Sequence, residues 1–356
     1  MTSTPSAWLN ALATATPGHD IHQAFIEWAT PRIADDRMRA LFARMAGRSG
    51  IAHRWSVLPP TPAGGSPVAP GGFYDVPGLP PTSARMAAYA DHAPDLALAA
   101  IARLGDAFAL ARVTHLVVAS CTGFVAPGID QIIARRLGLA PTVERVLIGF
   151  MGCYAGVTAL RNARHIVRSD PEAVVLVVSV ELSTLHLSLA DTPEPLLAML
   201  QFSDGAAAGI VSAAPGGISL GEGRSLALDD SADLIRWDIG DKGFAMQLSG
   251  EVPGRLRAAL SDAAVQRTLF GDGGPPPLLA VHAGGRSVLD AVEAALGVRA
   301  DALADSRAVL AACGNMSSAT ILFVLARMMA RGAQGEGVAI AFGPGLAAEA
   351  IRFTAS

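Results

Sequence analysis

The hydrophobic residues of this chain gather into continuous apolar runs that alternate with stretches of helical periodicity. Three runs lie at 115–120, 145–150 and 174–180, and a fourth at 206–212 closes the first half of the chain. Runs of β-branched and apolar residues without polar alternation are typical of strands that helices cover on both faces. The pattern therefore predicts a layered α/β protein.

The segments around these strands are predicted helices and one predicted loop. Residues 1–60 have a helical, moderately charged pattern, and the Ala-rich stretch 83–112 predicts a long helix. Between them, 59–82 is rich in proline and glycine and predicts an irregular loop. A further helix is predicted at 155–168, directly after Cys153.

The second half of the chain repeats the alternation of strands and helices. Its predicted elements are strands at 277–282 and 338–342 and helices at 287–296 and 317–330. Each half places a strand, a glycine corner and a helix around one polar residue, Cys153 in the first and Asn315 in the second. We interpret this as an internal duplication of an α/β/α layer, with halves at 1–214 and 215–356.

Length, composition and charge narrow the class of protein. A chain of 356 residues, 51% of them hydrophobic, can bury two cores, and its 16% of charged residues favours an extensive subunit interface. No uncharged apolar run is long enough to cross a membrane, so no integral membrane segment is predicted. A net charge of −4 without a basic stripe argues against a nucleic-acid partner.

The cysteines and the N-terminus predict a cytoplasmic protein. Cys121, Cys153 and Cys313 lack CxxC spacing, so neither a disulfide framework nor a zinc site is predicted. No basic region followed by an apolar block opens the chain, which argues against a secretion signal. No cluster has metal-ligand spacing and no Gly-x-Gly-x-x-Gly follows a strand, so no metal or cofactor is predicted.

Cys153 is the strongest candidate for chemistry. It lies in a Gly-Cys corner between the apolar run at 145–150 and the helix that follows. Unpaired backbone N–H groups and the dipole at a helix N-terminus favour the thiolate over the thiol. The thiolate is the nucleophilic form, so the position predicts a nucleophilic cysteine.

His282 and Asn315 are candidate partners of this cysteine. His282 ends an apolar strand, where ligands gather in parallel sheets, and two glycines after it allow close approach of a phosphate or pantetheine arm. Taken alone, His282 is equally consistent with a structural hydrogen bond, and Asn315 with a helix N-cap. Together with Cys153 they form the thiolate, imidazole and amide set that thioester chemistry requires.

Five segments in order give the chain a resemblance to the type III polyketide synthases, the chalcone synthase-like family of the thiolase fold. They are Gly-Cys-Tyr-Ala-Gly at 152–156, Phe-Ser-Asp-Gly-Ala-Ala at 202–207, Val-His-Ala-Gly-Gly at 281–285 with Leu289 and Asp290, Gly-Asn-Met-Ser-Ser-Ala at 314–319 and Phe-Gly-Pro-Gly at 342–345. The resemblance extends from about residue 34 to the C-terminus. It implies an α/β thiolase-like fold with duplicated α/β/α layers (αβαβα) and mixed five-stranded sheets.

The resemblance also implies roles for the candidate residues. Cys153 would carry the acyl group, and His282 and Asn315 would drive decarboxylation of a malonyl group. Phe202 matches one gate between a CoA tunnel and the cavity, and Met246 falls on a second gate that is usually Phe. Since methionine is flexible, we expect this gate to admit bulkier or aliphatic acyl chains.

Six further positions match the cavity wall of the family. They are Cys121, Thr122, Ala126, His186, Trp237 and Ser317. At Ala126 related plant enzymes extend a methionine across the dimer interface, so alanine is expected to leave room. Trp237 replaces what is often glycine, and its indole is expected to shorten or redirect one branch of the cavity. Cys121 alone is more simply interpreted as a buried, inert cysteine.

The implied CoA site includes two arginines and two glycines. Arg44 and Arg48 fall on family positions that hold CoA phosphates, and Gly284 and Gly285 border the same site. A third cationic position falls on Leu41, for which we expect Arg39 to substitute. By itself, a surface arginine indicates no more than a solvated charge.

The resemblance implies an iterative, decarboxylative condensing enzyme that acts as a homodimer on malonyl-CoA and an acyl-CoA starter, without metal or redox cofactor. Its product would be a pyrone, a resorcinol or a related aromatic polyketide. A fatty-acid-type ketoacyl synthase that uses an acyl carrier protein has the same three residues, although the Phe-Gly-Pro-Gly and Met-Ser-Ser segments favour the polyketide synthase. The alternative from another class is a non-catalytic acyl-CoA-binding protein, to which an activated thiolate would bring no advantage.

Overall fold

The computed structural model describes residues 5–105, 109–188, 194–299 and 301–356. Within these ranges the strands are β1 (Ala7–Ala15), β2 (His19–Asp20), β3 (Trp55–Ser56), β4 (His115–Ser120), β5 (Glu144–Gly149), β6 (Val175–Leu182), β7 (Asp204–Ser212), β8 (Ile218–Ala227), β9 (Ile235–Gly240), β10 (Gly243–Leu248), β11 (Leu278–Val281), β12 (Gly335–Gly343) and β13 (Ala347–Ala355). The helices are α1 (His22–Ala29), α2 (Asp36–Arg48), α3 (Thr82–Ala102), α4 (Ile129–Leu137), α5 (Ala155–Ser169), α6 (Glu194–Met199), α7 (Val252–Ser261), α8 (Ala263–Phe270), α9 (Arg286–Leu296), α10 (Ala304–Cys313) and α11 (Thr320–Ala330).

One mixed sheet runs through both halves of the chain. Its nine strands have the order β11-β12-β13-β8-β1-β7-β6-β4-β5, and the halves join where β1 pairs with β8. In the first half β4 is parallel to β6, and antiparallel pairs lead on to β7 and β1. In the second half β11 is parallel to β12, and antiparallel pairs lead on to β13 and β8. The repeated pairing pattern agrees with an internal duplication.

The two halves differ in the number of strands that they contribute to this sheet. The first half supplies five strands, because β5 pairs with the outer edge of β4. The second supplies four among the described residues, since β11 is itself the edge strand. The structure therefore has one nine-stranded sheet where two five-stranded sheets were expected.

Two hydrophobic cores cover the opposite faces of the sheet. Strand β4 is apolar throughout because Leu116 and Val118 lie in one core while Val117 and Ala119 lie in the other. Helices α5 and α11 pack against one face and contact each other, and α3 and α4 cover the other face of the first half. Because α5 and α11 follow the two glycine corners, their contact brings the two candidate loops together.

The prediction that residues 1–60 are helical is wrong for the first strand. Ala7–Ala15 forms β1, which lies in the middle of the sheet between β7 and β8. Its alanines and leucines have high helix propensity, but propensity is a weak preference that burial between two strands overrides. Ala7 and Leu9 are fully buried there.

The other predicted elements are found with shifted ends. The predicted strands of the first half are formed as β4 to β7 within two residues, and the loop at 59–82 contains neither helix nor strand before α3 begins at Thr82. The helix predicted at 83–112 ends at Ala102, and residues 106–108 of that prediction lie outside the described residues. The helix predicted at 317–330 begins as a 3-10 turn, Ser317–Ala319, before α11.

Candidate active site

Cys153 lies at the corner between β5 and α5. The backbone turns there with positive φ angles of 56° at Phe150 and 80° at Gly152. A Cβ at position 152 would lie 2.5 Å from Cδ of Pro344, so the corner needs glycine both for its φ angle and for space. The nucleophile loop is therefore packed against the Phe-Gly-Pro-Gly segment, with Cys153 only 8% exposed.

Main-chain hydrogen bonds hold Asn315 beside the loop that precedes β7. Its N–H donates to the carbonyl of Gln201 at 2.8 Å, and the N–H of Ser203 donates to its carbonyl at 2.9 Å. Its side chain makes two hydrogen bonds to the backbone, and its role as a donor to an oxyanion stays a prediction. Oδ1 accepts from the N–H of Ser317 at 2.9 Å, as a cap would, while Nδ2 donates to the carbonyl of Gly284 at 3.1 Å. The second hydrogen of Nδ2 is available to a substrate oxygen.

His282 directly follows β11, and its N–H donates to the carbonyl of Ile340 at 2.8 Å. The imidazole is 1% exposed, and neither ring nitrogen has a hydrogen-bond partner among the described residues. The imidazole therefore makes no hydrogen bond to the Cys153 sulfur in this structure. Buried polar atoms are nearly always paired, so two unpaired ring nitrogens at a cavity wall indicate a group that binds a ligand.

A cavity of about 440 Å³ connects the three candidate catalytic side chains. Cys153, His282 and Asn315 lie on its wall, and so do the two predicted gates, Phe202 and Met246. Most of the remaining wall is aliphatic, formed by Leu197, Ala198, Ile235, Leu248, Val252 and Leu256. The residues that the sequence analysis brought together for thioester chemistry are thus brought together in space.

Burial dominates the electrostatics of this site. It raises the pKa of the Cys153 thiol to about 12, although the Ser317 hydroxyl and the Asn315 amide act in the opposite direction. It also lowers the pKa of His282 to about 3. Each group alone is therefore neutral, and the position at a helix N-terminus does not by itself produce the thiolate. Charge separation requires the thiol and imidazole to ionise together as a hydrogen-bonded pair.

The gate residue Met246 is the cross-strand partner of Trp237. The two residues lie opposite each other in the β9–β10 hairpin, so their side chains share one face of it. The Trp237 ring lies 6.4 Å from that of Phe202, measured between ring centroids. Met246 and Trp237, which both depart from the family pattern, are therefore neighbours.

Trp237 belongs to an aromatic cluster beside the gates that extends from buried rings to the protein surface. The cluster consists of Phe124, Phe150, His186, Phe202, Trp237 and Phe244. A smaller cavity of about 260 Å³ lies against Phe150, Gly152 and Trp237. Trp237 lines this smaller cavity and is not among the residues on the wall of the catalytic cavity, so its expected effect on a branch of that cavity stays a prediction.

His186 is a structural member of this cluster. Its ring stacks on Phe244 with the centroids 4.2 Å apart. Nδ1 accepts from the N–H of Phe244 at 3.0 Å, which leaves Nε2 to donate to the carbonyl of Thr122 at 2.7 Å. Burial lowers the pKa of His186 to about 3. With both nitrogens in use and the ring neutral, His186 has a structural role and does not transfer protons, and it is not among the residues that line the catalytic cavity.

Cys121 and Thr122 lie behind the nucleophile loop and support it, although the resemblance assigned them to the cavity wall. The Cys121 sulfur accepts from the N–H of Gly152 at 3.1 Å, and the Thr122 hydroxyl donates to Glu181 at 2.9 Å. Both are fully buried, whereas Ala126 in the following turn is exposed.

A surface cavity of about 400 Å³ continues the catalytic cavity outward. Four residues line both spaces, namely Met45, Leu197, Gln201 and Ser287. Gly284 lies on the wall of the catalytic cavity. A Cβ at Gly285 would lie 2.1 Å from Oε1 of Gln201, so a larger residue would displace the end of that side chain where the two spaces meet. Among the described residues, this outer cavity forms a mouth of the site between α2, α6 and α9.

The arginines assigned to CoA lie at different places around this mouth. Arg48 lines the outer cavity, and Arg286, which the sequence analysis did not single out, lies there too. Arg44 is exposed one turn earlier on α2. Arg39 donates to the carbonyl of Ile33 at 2.8 Å and to Asp36 at 2.8 Å. Its guanidinium is committed to the start of α2, so it does not take the place of the missing cation.

Two buried carboxylates near the site escaped the sequence analysis. Glu181, in β6, accepts hydrogen bonds from the loop after β4 and from the 3-10 turn before α11. Asp204, at the start of β7, accepts from the N–H of Thr184 at 2.8 Å and from that of Val57 at 2.9 Å. Glu181 could have been noticed in the sequence, because it is the only charged residue in the strand Val175–Leu182.

Comparison with known proteins identifies the family. The model of the N-terminal domain of chalcone and stilbene synthases matches residues 2–215, and the model of their C-terminal domain matches residues 224–355. The chain belongs to the chalcone and stilbene synthase family. It is therefore an acyltransferase of the type III polyketide synthase class, and the resemblance found in the sequence is confirmed.

Relatives of this synthase are found in bacteria and eukaryotes. The alpha-pyrone synthesis polyketide synthase-like protein Pks18 of Mycobacterium tuberculosis is 32% identical, over 98% of this chain and 91% of its own length. The crystal structure of PKS-I from the brown alga Ectocarpus siliculosus has a TM-score of 0.87 at 27% identity and covers 99% of both chains. The type III polyketide synthase domain of Steely1 from Dictyostelium has a TM-score of 0.85 at 25% identity, covering 98% of this chain and 99% of the domain.

These matches confirm the α/β thiolase-like fold. In the described part of the synthase, no helix combines the length and the apolar character that a membrane crossing requires.

Proposed function

We propose that this synthase condenses malonyl-CoA repeatedly, with loss of carbon dioxide, onto an acyl group held on Cys153. The observation that carries the proposal is the joint placement of Cys153, His282 and Asn315 on the wall of one cavity. The gates Phe202 and Met246 lie on the same wall. A thiol, an imidazole with both nitrogens unpaired and an amide with a free N–H are the groups that the reaction needs.

Loading of the starter begins with a proton transfer from the Cys153 thiol to His282. The thiolate attacks the carbonyl carbon of the acyl-CoA, the bond to the CoA sulfur breaks, and CoA leaves with the proton from His282. Because the site is buried, the ion pair is favourable only while the two groups touch. Approach of the starter through the narrow mouth excludes water and brings this pair together.

Extension uses the two uncharged donors of the site. The malonyl carboxylate leaves as carbon dioxide, and the electron pair of the broken bond forms an enolate on the thioester. Asn315 Nδ2 and the His282 ring N–H donate to the enolate oxygen, in the manner of an oxyanion hole. The enolate carbon then attacks the acyl group on Cys153, which releases the thiolate and leaves the chain on CoA, two carbons longer.

The wall of the catalytic cavity supports an aliphatic starter. Leu197, Leu248, Val252 and Leu256 offer hydrocarbon surface, and Met246 adds a flexible side chain at the gate. Trp237 and the aromatic cluster limit the space beyond. A short polyketide that closes to an α-pyrone fits these limits, and the mycobacterial relative is named for alpha-pyrone synthesis.

The decisive experiment incubates the purified synthase with malonyl-CoA and one starter at a time, with products identified by mass spectrometry. The starters are acetyl, short and long aliphatic, benzoyl and coumaroyl CoA. We expect pyrones from aliphatic starters. Condensation only when malonyl carrier protein is supplied would establish the ketoacyl synthase instead. If no condensation occurs with either donor and iodoacetamide does not label Cys153, the chain is an acyl-CoA-binding protein.

Replacing Met246 with Phe is expected to narrow starter acceptance. A rigid ring at the gate, opposite Trp237 and beside Phe202, takes up space that the thioether leaves to the acyl chain. We expect kcat/KM for long-chain acyl-CoA to fall roughly 10-fold to 200-fold, which is the range for steric discrimination in an apolar pocket. Met246→Leu is the matched control, since it keeps aliphatic volume. Unchanged turnover of long-chain starters by Met246→Phe would contradict the gate assignment.

We further propose that the synthase is a cytoplasmic homodimer. Its edge strand β5 exposes Val146 and Leu147, at 39% and 45%, and Phe150 and Phe124 lie exposed beside that edge. Large apolar side chains on an unpaired sheet edge favour association. Leu147→Asp is expected to shift the sedimentation coefficient from that of a dimer to that of a monomer. A wild-type monomer, or a dimer unaffected by this substitution, would rule out an interface at β5.

A further inference from the structure

Glu181 connects the two catalytic loops beneath the active site. One carboxylate oxygen, Oε2, accepts from the N–H of Cys121 at 2.9 Å and from the hydroxyl of Thr122 at 2.9 Å. The other, Oε1, accepts from the hydroxyl of Ser318. Ser179 supports Ser318 through a hydroxyl–hydroxyl bond of 2.9 Å. All these side chains are buried, so the network is shielded from water.

Each end of this network leads to a catalytic residue. On one side the Cys121 sulfur accepts from the N–H of Gly152, the neighbour of Cys153, at 3.1 Å. On the other side Ser318 lies in the 3-10 turn that begins two residues after Asn315. A single carboxylate thus ties the nucleophile loop of the first half to the amide loop of the second.

The charge of Glu181 also reaches the nucleophile. It is fully buried, and no salt bridge to its carboxylate is found among the described residues. Burial raises its pKa to about 7, against the hydrogen bonds from Ser318, Cys121 and Thr122. The titratable groups that feel its charge are Tyr89, Cys121 and Cys153, and the carboxylate raises the pKa of each.

We propose that Glu181 is a positioning residue that clamps the nucleophile and amide loops into one unit, and that its negative charge restrains ionisation of Cys153. The proposal rests on the proposed function for the role of the two loops. Glu181 lies in the first half of the duplicated fold and binds Ser318 in the second, so it couples the two halves. The restraint is released below neutral pH, where the carboxylate takes up a proton.

Glu181→Gln tests the charge, because the amide keeps an acceptor for Cys121 and Thr122. Its NH2 group donates to Ser318, whose hydroxyl then donates to Ser179. We expect the pH at half-maximal iodoacetamide labelling of Cys153 to fall by about one pH unit, the lower end of the effect of a nearby like charge. The difference from wild type should vanish below pH 7. A midpoint equal to that of wild type would overturn the proposal.

Glu181→Ala tests the clamp, because it leaves the loops unconnected. We expect kcat for condensation to fall about 100-fold, the effect of a misplacement of about 1 Å, with KM for malonyl-CoA changed less than about threefold. Asp305→Asn, which removes the charge of another buried carboxylate that pairs with Arg327 and Arg331 outside this network, should match wild type in labelling and in kcat. If Asp305→Asn reproduces the Glu181→Gln shift, the effect is not specific to the network and the proposal fails.

Failure of the proposal can be told apart from failure of the proposed function. Labelling of Cys153 requires no condensation, so the Glu181→Gln comparison holds even if the wild type makes no polyketide. Should Glu181→Ala not fold, Glu181→Gln, checked for an unchanged melting temperature, still decides the question of charge.

Discussion

Replacing Cys153 with alanine is expected to abolish polyketide formation and to leave a slow decarboxylation of malonyl-CoA. The methyl group cannot accept an acyl chain, so loading and extension both stop. His282 and Asn315 remain on the cavity wall, where they still stabilise the enolate that decarboxylation produces. Loss of a covalent nucleophile costs roughly 10⁴-fold or more in kcat. Product mass spectrometry measures the first reaction, and acetyl-CoA release from malonyl-CoA measures the second.

Cys313→Ala is the matched control for this experiment. Cys313 ends α10, lies outside the wall of the catalytic cavity, and is partly exposed. We expect it to condense at the wild-type rate. Full-length polyketide from Cys153→Ala would show that the acyl group is held elsewhere, and the assigned mechanism would then be wrong.

Most strands and the reactive residues could be predicted from the sequence, because each is marked by a pattern of neighbouring residues. Strands β4, β6 and β7 are buried on both faces, so each is a nearly unbroken apolar run, whereas β5 is a similar run that lies largely exposed at the edge of the sheet. The glycine corners before Cys153 and Asn315 were visible for the same reason, since a positive φ and close packing both select glycine there. A local pattern predicts an element well when burial and backbone geometry select the same residues.

Neither the first strand nor the pairing of Met246 with Trp237 could be predicted from the sequence, because each is determined by pairing with another strand. The Ala-rich segment Ala7–Ala15 becomes β1 only because β7 and β8 lie on either side of it. Met246 and Trp237 each looked like a separate departure, but their pairing in the β9–β10 hairpin places a large side chain directly opposite a flexible one. The effects of the two on the cavity are therefore coupled, and neither predicts the product alone.

Electrostatics at the nucleophile depended on burial, which residue types do not reveal. The helix N-terminus favours the thiolate, but that effect is about 1 kcal/mol or less at an ordinary site. Full burial acts in the opposite direction and raises the pKa of Cys153 to about 12. The buried carboxylate of Glu181 adds to this. The thiolate therefore depends on His282 more than the sequence suggested.

Replacing His282 with glutamine is accordingly expected to abolish condensation and to reduce decarboxylation strongly. Glutamine donates an N–H but cannot take up the proton of Cys153, so loading stops. It also places its donor differently, and loss of one oxyanion donor costs roughly 10²-fold to 10³-fold in the decarboxylation step. Comparison with Cys153→Ala is the internal control, because that variant loses condensation and keeps decarboxylation.

The pH dependence of Cys153 labelling tests the ion pair directly. In the wild type the imidazolium lowers the pKa of the thiol, so iodoacetamide labelling should reach half its maximum below the ordinary thiol value of about 8.5. In His282→Gln the burial and the Glu181 charge that raise the pKa outweigh the hydrogen bonds from Ser317 and Asn315 that lower it, so the midpoint should move to higher pH, toward 12. Identical midpoints in the two proteins would show that His282 does not stabilise the thiolate. If decarboxylation is lost but the midpoint is unchanged, the role of His282 is limited to stabilising the enolate. The proton of Cys153 would then have to leave by another route.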